Sequence, residues 1–244
     1  MLKLISYLAP SIPAGFFTLV ARHLESATGL PADVTFETRI SGPLDGDDDP
    51  FADGRADVGF ICSPSFRFLR GRSPVELLPL PVPLDARAEG RPVYFADVVV
   101  HAASPVRRFE ELRGAVWGYN DRNSKSGWFS MLERTGGESF FNRMVHAGSH
   151  LRSLDLVLAG EIDAAAIDSN TLALRRRLDP ALAGQMRVLE SWGPFPIQPV
   201  IIRSAVAVKE RIREALLTMH QSHAAALAEF GWAGFAIGDE GAYR

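Results

Sequence analysis

The densest set of groups able to hold an anion lies in Tyr119-Asn120-Asp121-Arg122-Asn123-Ser124-Lys125-Ser126-Gly127-Trp128. This segment follows a strand-like run and opens a helix-like one. A helix start leaves N–H groups without intrahelical partners and carries a partial positive charge, which suits an anion. The hydroxyls of Ser124 and Ser126 add donors, Lys125 could add a full charge, and Gly127 lets the backbone approach a ligand closely. Plain helix capping by Asn123 or Ser124 accounts for the same residue types, so local spacing leaves both readings open. A second helix start, Gly148-Ser149-His150-Leu151, offers His150 as a further donor or as a structural histidine. Asp163 and Asp168 lie five apart across a strand and should face opposite sides. Asp163 is expected to fix a turn, whereas Asp168 is a ligand candidate. His220 and His223 share a helix face but have no third metal ligand, and no nucleophile elbow, Walker loop or dinucleotide fingerprint occurs. The expectation is therefore no metal and no cofactor.

The elements that must position these groups alternate between strand and helix, which favours an α/β fold. Strands are expected at 2–8, 34–40, 57–62, 93–101, 115–119, 164–167, 186–190 and 200–203, with a proline-spaced extended segment at 77–84. Helices are expected at 14–28 (closed by Gly29), 127–135, 150–159 (closed by Gly160), 171–178 and 208–230, with a helical turn at 109–113. The acidic run around Asp47 and the run Arg175-Arg176-Arg177 read as solvated surface. One internal echo stands out. Gly54-Arg55-Ala56-Asp57-Val58-Gly59-Phe60-Ile61-Cys62-Ser63 parallels Gly160-Glu161-Ile162-Asp163-Ala164-Ala165-Ala166-Ile167-Asp168-Ser169. Two related α/β units would place Cys62-Ser63 and Asp168-Ser169 at equivalent strand ends, where open α/β sheets bind ligands.

Composition agrees with a soluble globular chain. The 244 residues are 47% hydrophobic and 23% charged, with a net charge of −3. No basic excess points to nucleic acid. The single cysteine, Cys62, excludes an internal disulfide. No apolar run approaches the roughly 20 residues of a membrane span, so membrane insertion is not expected. The first 19 residues are broken by Pro10, Pro13 and Gly15 and read as a strand and turn rather than a leader. The location is expected to be periplasmic if a leader was removed and cytoplasmic otherwise.

Taken in order, several motifs resemble the phosphate/phosphonate-binding proteins of ABC importers. They are Ala56-Asp57-Val58-Gly59-Phe60, Tyr94 through Val100 into Ser104-Pro105-Val106, and Phe109-Glu110-Glu111-Leu112-Arg113-Gly114. Asn123-Ser124-Lys125-Ser126-Gly127, Ala147-Gly148-Ser149-His150, Gly160 to Ala166, Pro194 to Val200 and Gly231-Trp232-Ala233-Gly234-Phe235 complete the set. The resemblance implies a type II periplasmic-binding-protein fold, with lobe one at 1–98 plus 200–244, lobe two at 99–199, a hinge and an interlobe cleft. It implies capture of a small oxyanion (phosphate, phosphite or phosphonate) as part of an ABC uptake system or as a soluble sensor, with an ABC permease as partner. A cytosolic biosynthetic enzyme on the same fold is the alternative. The family's Ser-Thr-Ser-Gly helix start corresponds to Ser124-Lys125-Ser126-Gly127, its oxyanion histidine to His150 and its hinge-strand tyrosine to Tyr94. Asn170 stands where a carboxylate would recognise an amino group, Gln198 where an aspartate is expected between the prolines, and Ile61 replaces a second tyrosine. These departures imply a ligand without a cationic tail.

Overall fold

Leu2-Lys3-Leu4-Ile5-Ser6 forms strand β1 (Leu2–Ser6), and Ala14–Thr28 forms helix α1, closed by Gly29 at φ 74°. That left-handed cap accepts glycine without the steric cost a side chain would bring. Strand β2 (Ala32–Phe36), strand β3 (Val58–Phe60) and helix α2 (Ser63–Leu69) follow, then strands β4 (Val75–Leu77) and β5 (Leu80–Pro83). The second half starts with β6 (Val93–His101) and β7 (Val116–Tyr119), then α3 (Ser130–Thr135), β8 (Arg143–His146), α4 (His150–Leu158), β9 (Ala164–Asp168) and α5 (Ser169–Leu178). Helix α6 (Pro180–Ala183), β10 (Met186–Pro196), β11 (Val200–Arg203), α7 (Lys209–Glu229) and β12 (Trp232–Ala236) complete the chain. This computed structural model describes residues 1–39 and 41–243.

The contacts divide the chain into a first unit, 1–93 with the residues from Pro196 onward, and a second unit, Tyr94–Phe195. In the first unit the main sheet runs β2-β1-β3-β11-β4, and β12 pairs with β5 in a separate ribbon. β1 is parallel to β2 and β3, whereas β11 is antiparallel to β3 and β4. In the second unit the order is β10-β6-β9-β7-β8. β7 is parallel to both β8 and β9, and β6 is antiparallel to β9.

Strand periodicity separates the two faces of the second sheet. Val98, Val100, Trp117, Tyr119, Ala164 and Ala166 point into a core with Phe109, Trp128 and Met131. Val99, Ala165 and Ile167 point the other way, against Leu154, Val157, Ile162 and Leu172. Burial on both faces explains the apolar runs Val98–Val100 in β6 and Ala164–Ile167 in β9.

The internal echo has a structural basis. The backbone N–H of Asp57 donates to the Lys3 carbonyl (2.8 Å), and its carboxylate accepts the Lys3 N–H (3.0 Å). Asp163 treats Val116 the same way, at 2.9 and 2.7 Å. Each aspartate thus clamps the start of a neighbouring parallel strand. Cys62 and Asp168 then occupy the residue before a helix, α2 and α5 respectively.

Several expected boundaries move. The strand expected at 34–40 is Ala32–Phe36, because its register is set residue for residue by β1 from Leu2 to Ser6; Ile40 lies outside the described residues. The extended segment 77–84 splits into β4, which joins β11, and β5, which joins β12. The strand expected at 186–190 runs on to Pro196. The strand expected at 57–62 is confined to Val58–Phe60, since Cys62 already caps α2.

Candidate functional site

Three loops leave the carboxyl ends of the parallel strands β8, β7 and β9: the run to His150, the run from Asn120 to Gly127, and Ser169-Asn170. Open α/β sheets bind ligands at such ends.

The segment after β7 does not begin as a regular helix at Gly127. It enters through a wide π-type turn, Lys125–Phe129, and becomes α-helical at Ser130. The Ser124 carbonyl accepts both the Trp128 N–H (3.1 Å) and the Phe129 N–H (3.0 Å). Such single π turns recur at functional sites. Ser124 is the cap, its Oγ accepting the Gly127 N–H at 3.0 Å. First-turn N–H groups have no acceptor within the helix, and those of Lys125 and Ser126 belong to this class. Capping and anion binding are thus compatible here, because the cap occupies one of these donors.

Ser126 is 2% exposed, and its Oγ lies 3.1 Å from His150 Nε2 and 3.5 Å from Ser124 Oγ. His150 itself opens α4 behind the cap Ser149, whose Oγ accepts the Arg152 N–H. It is 6% exposed, and burial pushes its pKa down to about 4 against the smaller, opposite influence of the Ala166 backbone. At neutral pH it is therefore a neutral imidazole carrying one N–H. Its Nδ1 has no protein group within good hydrogen-bonding geometry. The ring's tautomer decides whether Nε2 donates to Ser126 or accepts from it. If Nε2–H donates, the Ser126 O–H is free to turn toward an anion.

Gly127 is required by close packing. An ideal Cβ there would lie 1.8 Å from Asn120 Oδ1 and 3.4 Å from His150 Cε1. Asn120 is the residue that sequence reasoning passed over. The only signal for it was the glycine seven residues on, which must be small because Asn120 fills the space.

Lys125 points elsewhere. Its Nζ pairs with Glu133 at 2.6 Å and lies 4.8 Å from the centre of the Phe195 ring. Phe195 in turn meets Tyr94 edge-on, with centroids 5.9 Å apart. Tyr94 is buried near the start of β6, where the next residue, Phe95, donates its N–H to Ser169 Oγ at 3.1 Å. Asp168 is 5% exposed and caps α5, its Oδ1 accepting the N–H groups of Asn170 (2.9 Å) and Thr171 (3.1 Å). Asn170 Nδ2 is buried with no partner in the protein. The second unit thus holds eight of the nine expected residues. Ser124, Ser126, Gly127 and His150 are directly bonded or packed together, while Lys125 and Tyr94 meet through Phe195. Gln198 belongs to the first unit. Among the described residues, no group of three or more His, Cys, Asp or Glu side chains could hold a metal, and no helix is long and apolar enough to cross a membrane.

Residues 10–243 match the family described as "ABC transporter, phosphonate, periplasmic substrate-binding protein". Among solved structures, a binding-protein component of an ABC phosphonate transporter from Pseudomonas aeruginosa aligns with a TM-score of 0.80 at 16% identity, over 99% of this chain and 82% of that one. A Prochlorococcus marinus protein in complex with methylphosphonate aligns at 0.79 and 14% identity, over 100% and 94%. A Xanthomonas citri protein bound to ATP aligns at 0.70 and 18% identity, over 99% and 92%. At these identities the structural matches establish the fold, which is that of type II periplasmic binding proteins.

Proposed function

We propose a ligand and a site for this chain, and the premise is its family: the chain belongs to the periplasmic substrate-binding proteins of ABC phosphonate transporters. The ligand is a small phosphorus oxyanion of the phosphate, phosphite or phosphonate class. It is held by the Ser124 and Ser126 hydroxyls and the first-turn N–H groups of the helix that follows β7. The observation that carries this reading is the bonded set Ser124–Ser126–His150 at the carboxyl end of a parallel strand. A buried neutral histidine there adds no charge, so the donors are hydroxyls and backbone N–H groups (the means by which helix starts hold phosphates elsewhere).

The tail of the ligand is neutral or anionic. Asn170 presents an unpartnered amide donor rather than a carboxylate, and an amide does not balance an ammonium group. Lys125, turned to Glu133 in this structure, could exchange that exposed partner for an anionic tail at small cost. The chain works in the periplasm and hands its ligand to an ABC permease.

A thermal-shift panel on dialysed protein tests this. Phosphate, phosphite, methylphosphonate and 2-aminoethylphosphonate would be compared with sulfate and carboxylates. Ligand at about 100 times its dissociation constant adds about 2.7 kcal/mol. For a chain of this size that is a rise of roughly 5–10 °C. The reading expects a rise with one phosphorus oxyanion and a weaker one with the amino derivative. A flat panel, or a preference for the amino derivative, would refute it. Conversion of a bound compound, read by mass spectrometry, would favour the enzyme alternative.

A further inference from the structure

We propose that Asn120 reads the protonation state of the bound oxyanion: its side-chain carbonyl accepts a hydrogen bond from a P–OH group, so the site takes the ligand as its monoanion. The proposal rests on the reading above. Asn120 Oδ1 is buried and has no hydrogen-bond partner in the protein. It lies beside Gly127, close enough to exclude a methyl group there, and His150 Cε1 borders the same point. The carbonyl is therefore fixed within the helix start that carries the Ser124 and Ser126 hydroxyls.

Those neighbours are donors. An acceptor among them has no use for a fully ionised oxyanion, whose lone pairs would face its own. A buried carbonyl left without a donor is destabilising, and a ligand hydroxyl relieves that. The ligand must bring this proton itself, because His150 is neutral above about pH 4 and its Nε2 lies against Ser126.

The other ionisable groups around this point are accounted for. On the same loop, Asp121 accepts the Asn123 N–H, Arg122 pairs with Glu138, and Lys125 pairs with Glu133. At the end of β9, Asp168 caps α5. On β8, His146 packs against the Tyr119 ring at 5.2 Å. His146 is the imidazole beside this loop, and its replacement serves as the control.

The experiment is calorimetric titration with methylphosphonate from pH 5 to 9. Its second ionisation lies near neutrality. Above it the affinity is expected to fall about tenfold per pH unit, with one proton taken up per ligand bound, as read from buffers of different ionisation heat. His146→Gln should leave that profile in place. Asn120→Leu should flatten it, and Asn120→Asp, which keeps an acceptor, should retain it. Affinity constant or rising from pH 7 to 9, absence of proton uptake, or a profile abolished by His146→Gln would each overturn the proposal while leaving the site assignment intact. Should Asn120→Leu fail to fold, the wild-type profile and proton count still decide. Absence of methylphosphonate binding at every pH would instead refute the site assignment, and this proposal with it.

Discussion

His150 should make the fold sensitive to acid in a way that one substitution removes. Burial lowers its pKa from 6.5 to about 4, so the unfolded chain binds the proton more readily than the folded one. Stability is then present above pH 6.5 and lost as pH falls from 6.5 toward 4, since the unfolded state gains protons first. The difference of the two binding curves gives a loss of about 2 kcal/mol at pH 5 and about 3 kcal/mol at pH 4. The group is 6% exposed, so solvent screening discounts this little. In His150→Gln the titrating ring is gone, while an amide can still donate to Ser126 Oγ. Urea unfolding at pH 7, 5 and 4 for both proteins isolates the contribution, because carboxylates elsewhere act equally in each. The gap between wild type and variant should shift by about 3 kcal/mol between pH 7 and 4. Parallel profiles would show that His150 is solvated or charged in the folded protein, and the neutral-donor account of the site would fall with it.

Three further outcomes follow from the packing. Gly127→Ala places a methyl 1.8 Å from Asn120 Oδ1 and should cost about 1–3 kcal/mol; Asn120→Ala in the same chain should recover much of it, as a double-mutant cycle of unfolding midpoints would read. Asp163→Ala removes the exposed 2.7 Å hydrogen bond to the Val116 N–H and should cost about 0.5–1.5 kcal/mol, with hydrogen exchange accelerating first along β7; Asp57→Ala, at a buried position, should cost at least as much along β1. Asp168→Ala removes the cap on α5 and should cost about 1 kcal/mol, and a loss under 0.3 kcal/mol by denaturant titration would contradict the cap.

Much of the scaffold was legible because its signals are local. Val93–His101 and Val200–Arg203 are runs rich in β-branched residues, and Ala14–Thr28 ends at a glycine that adopts the left-handed cap. Strand β8 was missed because Arg143 and His146 leave it no apolar alternation and both are exposed. Helix α2 was missed because Ser63-Pro64-Ser65 reads as a turn, although proline suits a first helical turn. In β12 Gly234 sits at φ 158° and interrupts the pattern. The site divided along the same line. Ser124 as a cap follows from its neighbours, but its link to His150 runs through Ser126, 24 residues away in sequence. Its own helix start offers that histidine as a donor or a structural residue, and the resemblance alone joins it to the serines in one site. Lys125 shows the opposite limit: its position at the helix start promised a charge for the ligand, and the side chain pairs with Glu133 instead.

If the two serine hydroxyls at the helix start after β7 hold a phosphorus oxyanion, removing both must cost most of its affinity. Calorimetric titration of methylphosphonate at pH 6 into wild type and into Ser124→Ala with Ser126→Ala tests it directly. Hydrogen bonds to a charged group contribute about 1.5–3 kcal/mol each, so the double variant should bind at least about 100-fold more weakly while unfolding cooperatively. Retained affinity in the double variant would place the ligand elsewhere and contradict the account.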